Sequence, residues 1–190
     1  MAGADESEVR RAVRAAVDRA LGPEASSPSA AEAPAAASGA ASRKVAIGSD
    51  HGGFALKEIL KRAIAEDLGW AVYDCGTHSA DAVDYPDFAA AVAREVASGR
   101  ATRGIVVDTA GIGSTMAANK VAGVRCALCH DDRTVLNARE HNDANVLALG
   151  SRIVHRGAAV RMVRLFLTTE FAGGRHARRV QKIMALEGPR

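Results

Sequence analysis

Three short runs bring proton-carrying side chains next to glycine or amide residues: Ser49-Asp50-His51-Gly52-Gly53, Asp108-Thr109-Ala110-Gly111-Ile112-Gly113-Ser114 and Glu140-His141-Asn142-Asp143-Ala144-Asn145. Carboxylate and imidazole are the groups that move protons near neutral pH. A glycine-rich turn opening a helix brings backbone N–H groups to an anion, and the helix dipole adds partial positive charge. Arg175 and Arg179 lie four apart, so on a helix they share a face and can grip a phosphate together. Gly111-Ile112-Gly113 lacks a full dinucleotide fingerprint and alone marks only a turn. Taken together, the runs point to acid–base chemistry on a small phosphorylated molecule.

The elements that must position these groups follow from the apolar pattern. After Lys44, short β-branched runs alternate with longer amphipathic ones, which predicts an α/β fold. Strands are expected over Lys44 to Gly48, Ala71 to Asp74, Gly104 to Asp108, Val124 to Leu128 and Val146 to Leu149. Helices are expected over Gly53 to Asp67, Tyr85 to Ser98, Ile112 to Lys120, Arg133 to Arg139, Arg156 to Thr169 and Arg175 to Ala185. The result is a Rossmann-like three-layer α/β/α domain over residues 44–190, with a five-stranded parallel sheet whose first and third strands end at polar runs and whose fifth is preceded by the run from Glu140 to Asn145. The first 43 residues differ. Residues 1–22 carry Val9, Val13, Val17 and Leu21 on one stripe of an amphipathic helix that Asp5 can cap and Gly22-Pro23 stops. Residues 23–43 are an Ala/Ser/Pro linker.

Composition excludes several classes. A chain of 190 residues, 48% hydrophobic, supplies one ordinary core. A net charge of +3 and 4% aromatic residues argue against nucleic acid as a partner. No run reaches the roughly 20 apolar residues that span a bilayer, so a membrane is not expected, and the odd, sparse set of Cys75, Cys126 and Cys129 suits a reducing, cytoplasmic compartment. Cys126 and Cys129 form a Cys-x-x-Cys, but a three-residue offset on a strand sends the side chains to opposite faces. That reads as structure, not metal or redox chemistry. His78 and His155 belong to no motif.

Five motifs in order then resemble a known family. They are Ser49-Asp50-His51-Gly52-Gly53, Asp84-Tyr85-Pro86-Asp87, Ala117-Ala118-Asn119-Lys120, Arg139-Glu140-His141-Asn142-Asp143-Ala144-Asn145 and Gly173-Gly174-Arg175-His176. Together they are similar to ribose-5-phosphate isomerase B and its galactose-6-phosphate isomerase relatives. The resemblance implies an aldose-ketose isomerase that interconverts ribose 5-phosphate and ribulose 5-phosphate through a cis-enediolate. It implies no metal and no cofactor, and a homodimer, or a higher oligomer, whose sites are shared between subunits. Another sugar phosphate, a hexose 6-phosphate or a tetrose phosphate, is the rival substrate. A non-catalytic sugar-phosphate-binding module is the rival class.

Carried over by position, His141 matches the acid–base residue that opens the sugar ring, with Asn142 beside it on substrate oxygens. Asp50, His51 and Tyr85 match sugar contacts. Arg152, Arg175 and Arg179 match phosphate contacts. The backbone from Thr109 to Ser114, including Gly111 and Gly113, matches the loop that stabilises the enediolate. Many relatives begin this loop Cys-Gly-Thr-Gly and use the cysteine as base; this chain has Asp108-Thr109-Ala110-Gly111. Ser114 stands where a second variant has glutamate. Galactose-6-phosphate isomerase subunits have aspartate near the loop's start, so Asp108 is the expected base. Thr109 is the expected substitute for a family hydroxyl replaced by Ala110. The layout of residues 1–43 resembles the encapsulation peptides that bring enzymes into the lumen of bacterial microcompartments, which implies a shell protein as partner.

Overall fold

The structure, a computed structural model, describes residue 11 and residues 43–188. Apart from a helical Arg11, the helix expected over residues 1–22 lies outside the described residues, as does the expected linker up to Arg43. The chain divides at residue 42 into two compact units, and the second holds every strand described.

Five strands, β1 (Lys44–Ser49), β2 (Ala71–Asp74), β3 (Arg103–Asp108), β4 (Cys126–Leu128) and β5 (Val146–Gly150), form one sheet in the order β2-β1-β3-β5-β4. All four pairings are parallel. Six helices connect or follow them: α1 (Phe54–Leu68), α2 (Tyr85–Ala97), α3 (Ile112–Ala118), α4 (Asp132–Glu140), α5 (Arg156–Thr168) and α6 (Arg175–Ala185). The three-layer α/β/α architecture is the one the alternating pattern requires.

Central strands β1, β3 and β5 are buried almost throughout, while edge strand β2 alternates between exposed and half-buried residues. One sheet face packs Ala46, Val106, Val146 and Ala148 against Val92, Ala93 and Val96 of α2. That helix approaches closely because a Cβ at Gly104 would sit 2.8 Å from Val92 Cγ1, and one at Gly48 2.9 Å from Val92 Cγ2. Leu60 and Ile64 of α1, and Met162, Val163 and Phe166 of α5, supply further fully buried apolar side chains.

Most boundaries fall within one residue of expectation, and two differ by two residues for local reasons. β4 begins at Cys126, not Val124, because the Arg125 N–H donates to Asn145 Oδ1 (2.7 Å). α3 stops at Ala118, and Asn119 bonds the main chain of Cys126 through both amide atoms, at 2.8 and 2.9 Å. Sheet order reverses between β1 and β3, since the chain leaves β1 toward β2 and returns past it to β3. Ligands in open parallel sheets bind at such a switch point, beyond the carboxyl ends of the strands. Asp50 follows β1 there, and Asp108 closes β3.

Candidate active site

The turn after β1 is built from Asp50 outward. Its Oδ1 accepts from the Gly53 N–H at 2.8 Å, closing the entry to α1. A Cβ at Gly53 would collide with the Val107 carbonyl, and one at Gly52 with the Thr109 hydroxyl. These two glycines let the turn lie flat on the end of β3. His51 is exposed, and its Nδ1 lies 3.3 Å from both the N–H and the carbonyl oxygen of Val83. From the start of α2, Tyr85 lies over the loop after β3, since a Cβ at Gly113 would meet its ring at 2.5 Å. Ser151 donates to the Gly52 carbonyl at 2.8 Å, and the Arg152 N–H to the Thr109 carbonyl at 3.1 Å. Asp50, His51, Tyr85, Thr109, Gly113 and Arg152 therefore gather at the switch point.

Asp108 is buried, at 5% exposure. Its Oδ1 accepts from the N–H groups of Ala110 (2.8 Å) and Gly111, and its Oδ2 from Ser114 N–H (3.1 Å). The loop can curl around the carboxylate because Gly111 takes a left-handed φ of 82°. A carboxylate offers about four lone-pair positions, so one remains, on Oδ2. The expectation that the whole run from Thr109 to Ser114 faces an oxyanion is narrowed here. Ala110, Gly111 and Ser114 turn their N–H groups inward to Asp108, while Ile112 and Gly113 are donors without an acceptor among the described residues.

A second set is built on α4 and α6. His141 ends α4, and its Nδ1 lies 2.9 Å from Asn137 Nδ2. Asn142 Nδ2 donates to the Asn137 carbonyl and to Asn137 Oδ1, both at 3.1 Å. His176, in the first turn of α6, stacks on His141 with ring centroids 4.2 Å apart and planes 2° from parallel. Arg175 and Arg179 share that helix and are exposed. Beneath this set, Arg139 is buried and donates to the carbonyls of Thr169 and Ala144 and to Asp143 Oδ1. Asp143 also receives Arg125, and its φ of 45° bends the chain just past Asn142. Asn137 and His176 were absent from the residues expected at the site. The four-residue spacing of Asn137 and His141 was the signal available.

Other polar residues near the strand ends do structural work. Asp131 and Thr134 form the capping box of α4, and His155 caps α5 by accepting from the Gly157 N–H. Lys57 is fully buried on α1, donating to both Asp74 oxygens and to the Thr77 carbonyl at 2.7 to 2.9 Å. Burial works to raise the Asp74 carboxyl, but hydrogen bonds from Lys57, Lys61 and the Gly76 N–H outweigh it and hold it below the ordinary carboxylate range. Burial pushes the thiols of Cys75 and Cys126 up to about 12 and that of Cys129 to about 11, so none is a ready thiolate. No group of three or more potential metal ligands occurs among the described residues. No helix among them is long and apolar enough to cross a membrane.

Comparison with known proteins places this geometry. The ribose/galactose isomerase family profile matches residues 45–183. Ribose-5-phosphate isomerase B of Escherichia coli is 42% identical over 145 residues, covering 76% of this chain and 97% of that protein. The structure of Clostridium thermocellum ribose-5-phosphate isomerase B is 49% identical, with a TM-score of 0.74 over 76% of this chain and 97% of that one. Ribose-5-phosphate isomerase B from Mycoplasma genitalium, solved with bound ribulose-5-phosphate, is 42% identical with a TM-score of 0.73 over 76% and 95%. With five motifs in order on the same fold, the chain belongs to the ribose/galactose isomerase family.

Proposed function

We propose that this protein interconverts ribose 5-phosphate and ribulose 5-phosphate. The observation that carries the reading is Asp108: it closes β3 at the switch point, and one lone pair of Oδ2 is left outside its backbone hydrogen bonds. The names of the E. coli and Mycoplasma relatives supply the substrate. His141 opens the sugar ring. Asp108 then takes the proton from C2 and returns it to C1, while the electron pair passes through a cis-enediolate. The Ile112 and Gly113 N–H groups face the oxyanion, and Thr109 moves the proton between the two substrate oxygens. Asp50, His51, Tyr85 and Asn142 hold hydroxyls, and Arg152, Arg175 and Arg179 hold phosphate. Asp108→Asn tests the reading: turnover should fall about 10³-fold, and near-normal turnover would defeat the assignment of the base.

The unusual loop favours one second reading, a different sugar phosphate such as a hexose 6-phosphate or tetrose phosphate. Assaying a panel with one preparation separates the two. A binding module without activity would be stabilised by ribose 5-phosphate yet turn over none of the panel.

The active unit is a homodimer with shared sites. Ile112, Met116 and Ile153 are 52%, 63% and 58% exposed beside the Asp108 loop, an apolar edge that a second copy would cover. Met116→Glu should yield monomers by light scattering with little activity; an active monomer would count against sharing. Residues 1–22 carry the enzyme into a microcompartment by binding its shell. A reporter fused to them that stays diffuse in a shell-forming host would exclude this.

A further inference from the structure

The amide network beside His141 fixes which imidazole nitrogen carries the proton. The Asn137 backbone carbonyl can only accept, so the Asn142 atom facing it at 3.1 Å is the Nδ2 donor. The same Nδ2 lies 3.1 Å from the Asn137 side chain, which must therefore turn its own acceptor, Oδ1, toward it. Asn137 Nδ2 is then left facing His141 Nδ1 at 2.9 Å, and that contact is a hydrogen bond only if Nδ1 holds a lone pair. The ring's proton sits on Nε2. The stacked ring of His176, reached from α6, holds the plane of His141 fixed.

We infer that Asn137 is a positioning residue that holds neutral His141 as its Nε2–H tautomer, so that His141 meets the sugar as a hydrogen-bond donor. The inference rests on the placement of His141 at the sugar proposed above. A neutral imidazole N–H polarises an oxygen that gathers negative charge without first having to be protonated. During ring opening that oxygen is the ring oxygen, which receives the electron pair of its bond to C1. In this tautomer Nε2 has no lone pair for the C1 hydroxyl proton, which passes to solvent water as C1 becomes a carbonyl, while water returns a proton to the ring oxygen and His141 keeps its own on Nε2. Asn137 stands one helical turn from His141 and acts on the sugar only through it.

Nitrogen-15 spectra of histidine-labelled full-length protein test this directly, with His141 assigned by its loss in His141→Gln. At a pH where His141 is neutral, Nε2 should be protonated and Nδ1 bare; a protonated Nδ1 overturns the inference. Asn137→Asp replaces the donor by an acceptor. It should move a proton to Nδ1 at the same pH and lower kcat about tenfold or more, with KM changed little. An unchanged nitrogen pattern in Asn137→Asp also overturns it. The placement of His141 at the sugar fails separately, if His141→Gln keeps normal turnover.

Discussion

At the end of β3 the Asp108 carboxylate accepts from three backbone N–H groups of its own loop, whereas at the end of α4 the His141 ring is held by side chains, Asn137 at one nitrogen and the stacked His176 on its face. The first arrangement makes a loop whose shape depends on the residue that would do its chemistry. In the second, the work of shaping the chain is delegated to Arg139 and Asp143, and the imidazole is aimed by Asn137. The difference is between a group that is both brace and tool and one that is a tool alone. Substitution should therefore damage the two regions in different ways.

Asp108→Asn carries the largest expected effect. The amide cannot accept from all three N–H groups, so turnover should fall about 10³-fold and the melting temperature should drop as well. His141→Ala should cost about 10²-fold in kcat/KM with a melting temperature close to that of the parent. Equal thermal losses in the two variants would erase the contrast. A pure brace sharpens it further: Asp74→Asn leaves buried Lys57 with only the partly exposed Glu58 carboxylate, 3.2 Å away, as counter-charge and should destabilise the fold by about 3 kcal/mol. Because the folded Asp74 carboxyl sits below its ordinary value, its contribution is complete above about pH 4 and is lost as pH falls through the lower folded value. Acid unfolding of Asp74→Asn should accordingly be less steep. The smallest effect is expected at Arg179→Ala, about tenfold in KM with little change in kcat, since the role proposed for this exposed guanidinium is to hold phosphate away from the reacting carbons.

Much of this was legible in the sequence. β-branched runs alternating with amphipathic ones specified the layers, and the helix from Arg175 to Ala185 ends where its periodicity ends. The polar runs after β1 and at the close of β3 marked carboxyl strand ends, where a parallel sheet leaves its ligand crevice, whereas the run from Glu140 to Asn145 precedes β5 at the opposite end. Residue types and spacing do not say how many lone pairs remain on a side chain. Asp108 could be placed from sequence, but its three backbone partners depend on the left-handed Gly111, which curls the loop back. Lys57 was hidden for a related reason. It occupies the buried stripe of α1 with Leu56, Leu60 and Ile64, where a lysine is tolerated only because Asp74 and the Thr77 carbonyl arrive from β2 and its following turn. Such partners are distant in sequence and carry no local signature.

The most direct test of the central claim follows ribose 5-phosphate in deuterated water by NMR, with the parent enzyme and with Asp108→Asn. Proton transfer through an enediolate predicts ribulose 5-phosphate carrying solvent deuterium at C1 for the parent. The variant should give neither product nor exchange while still being stabilised by the sugar phosphate. Parent enzyme that leaves ribose 5-phosphate unchanged, or Asp108→Asn that converts it at a near-normal rate, would contradict the account.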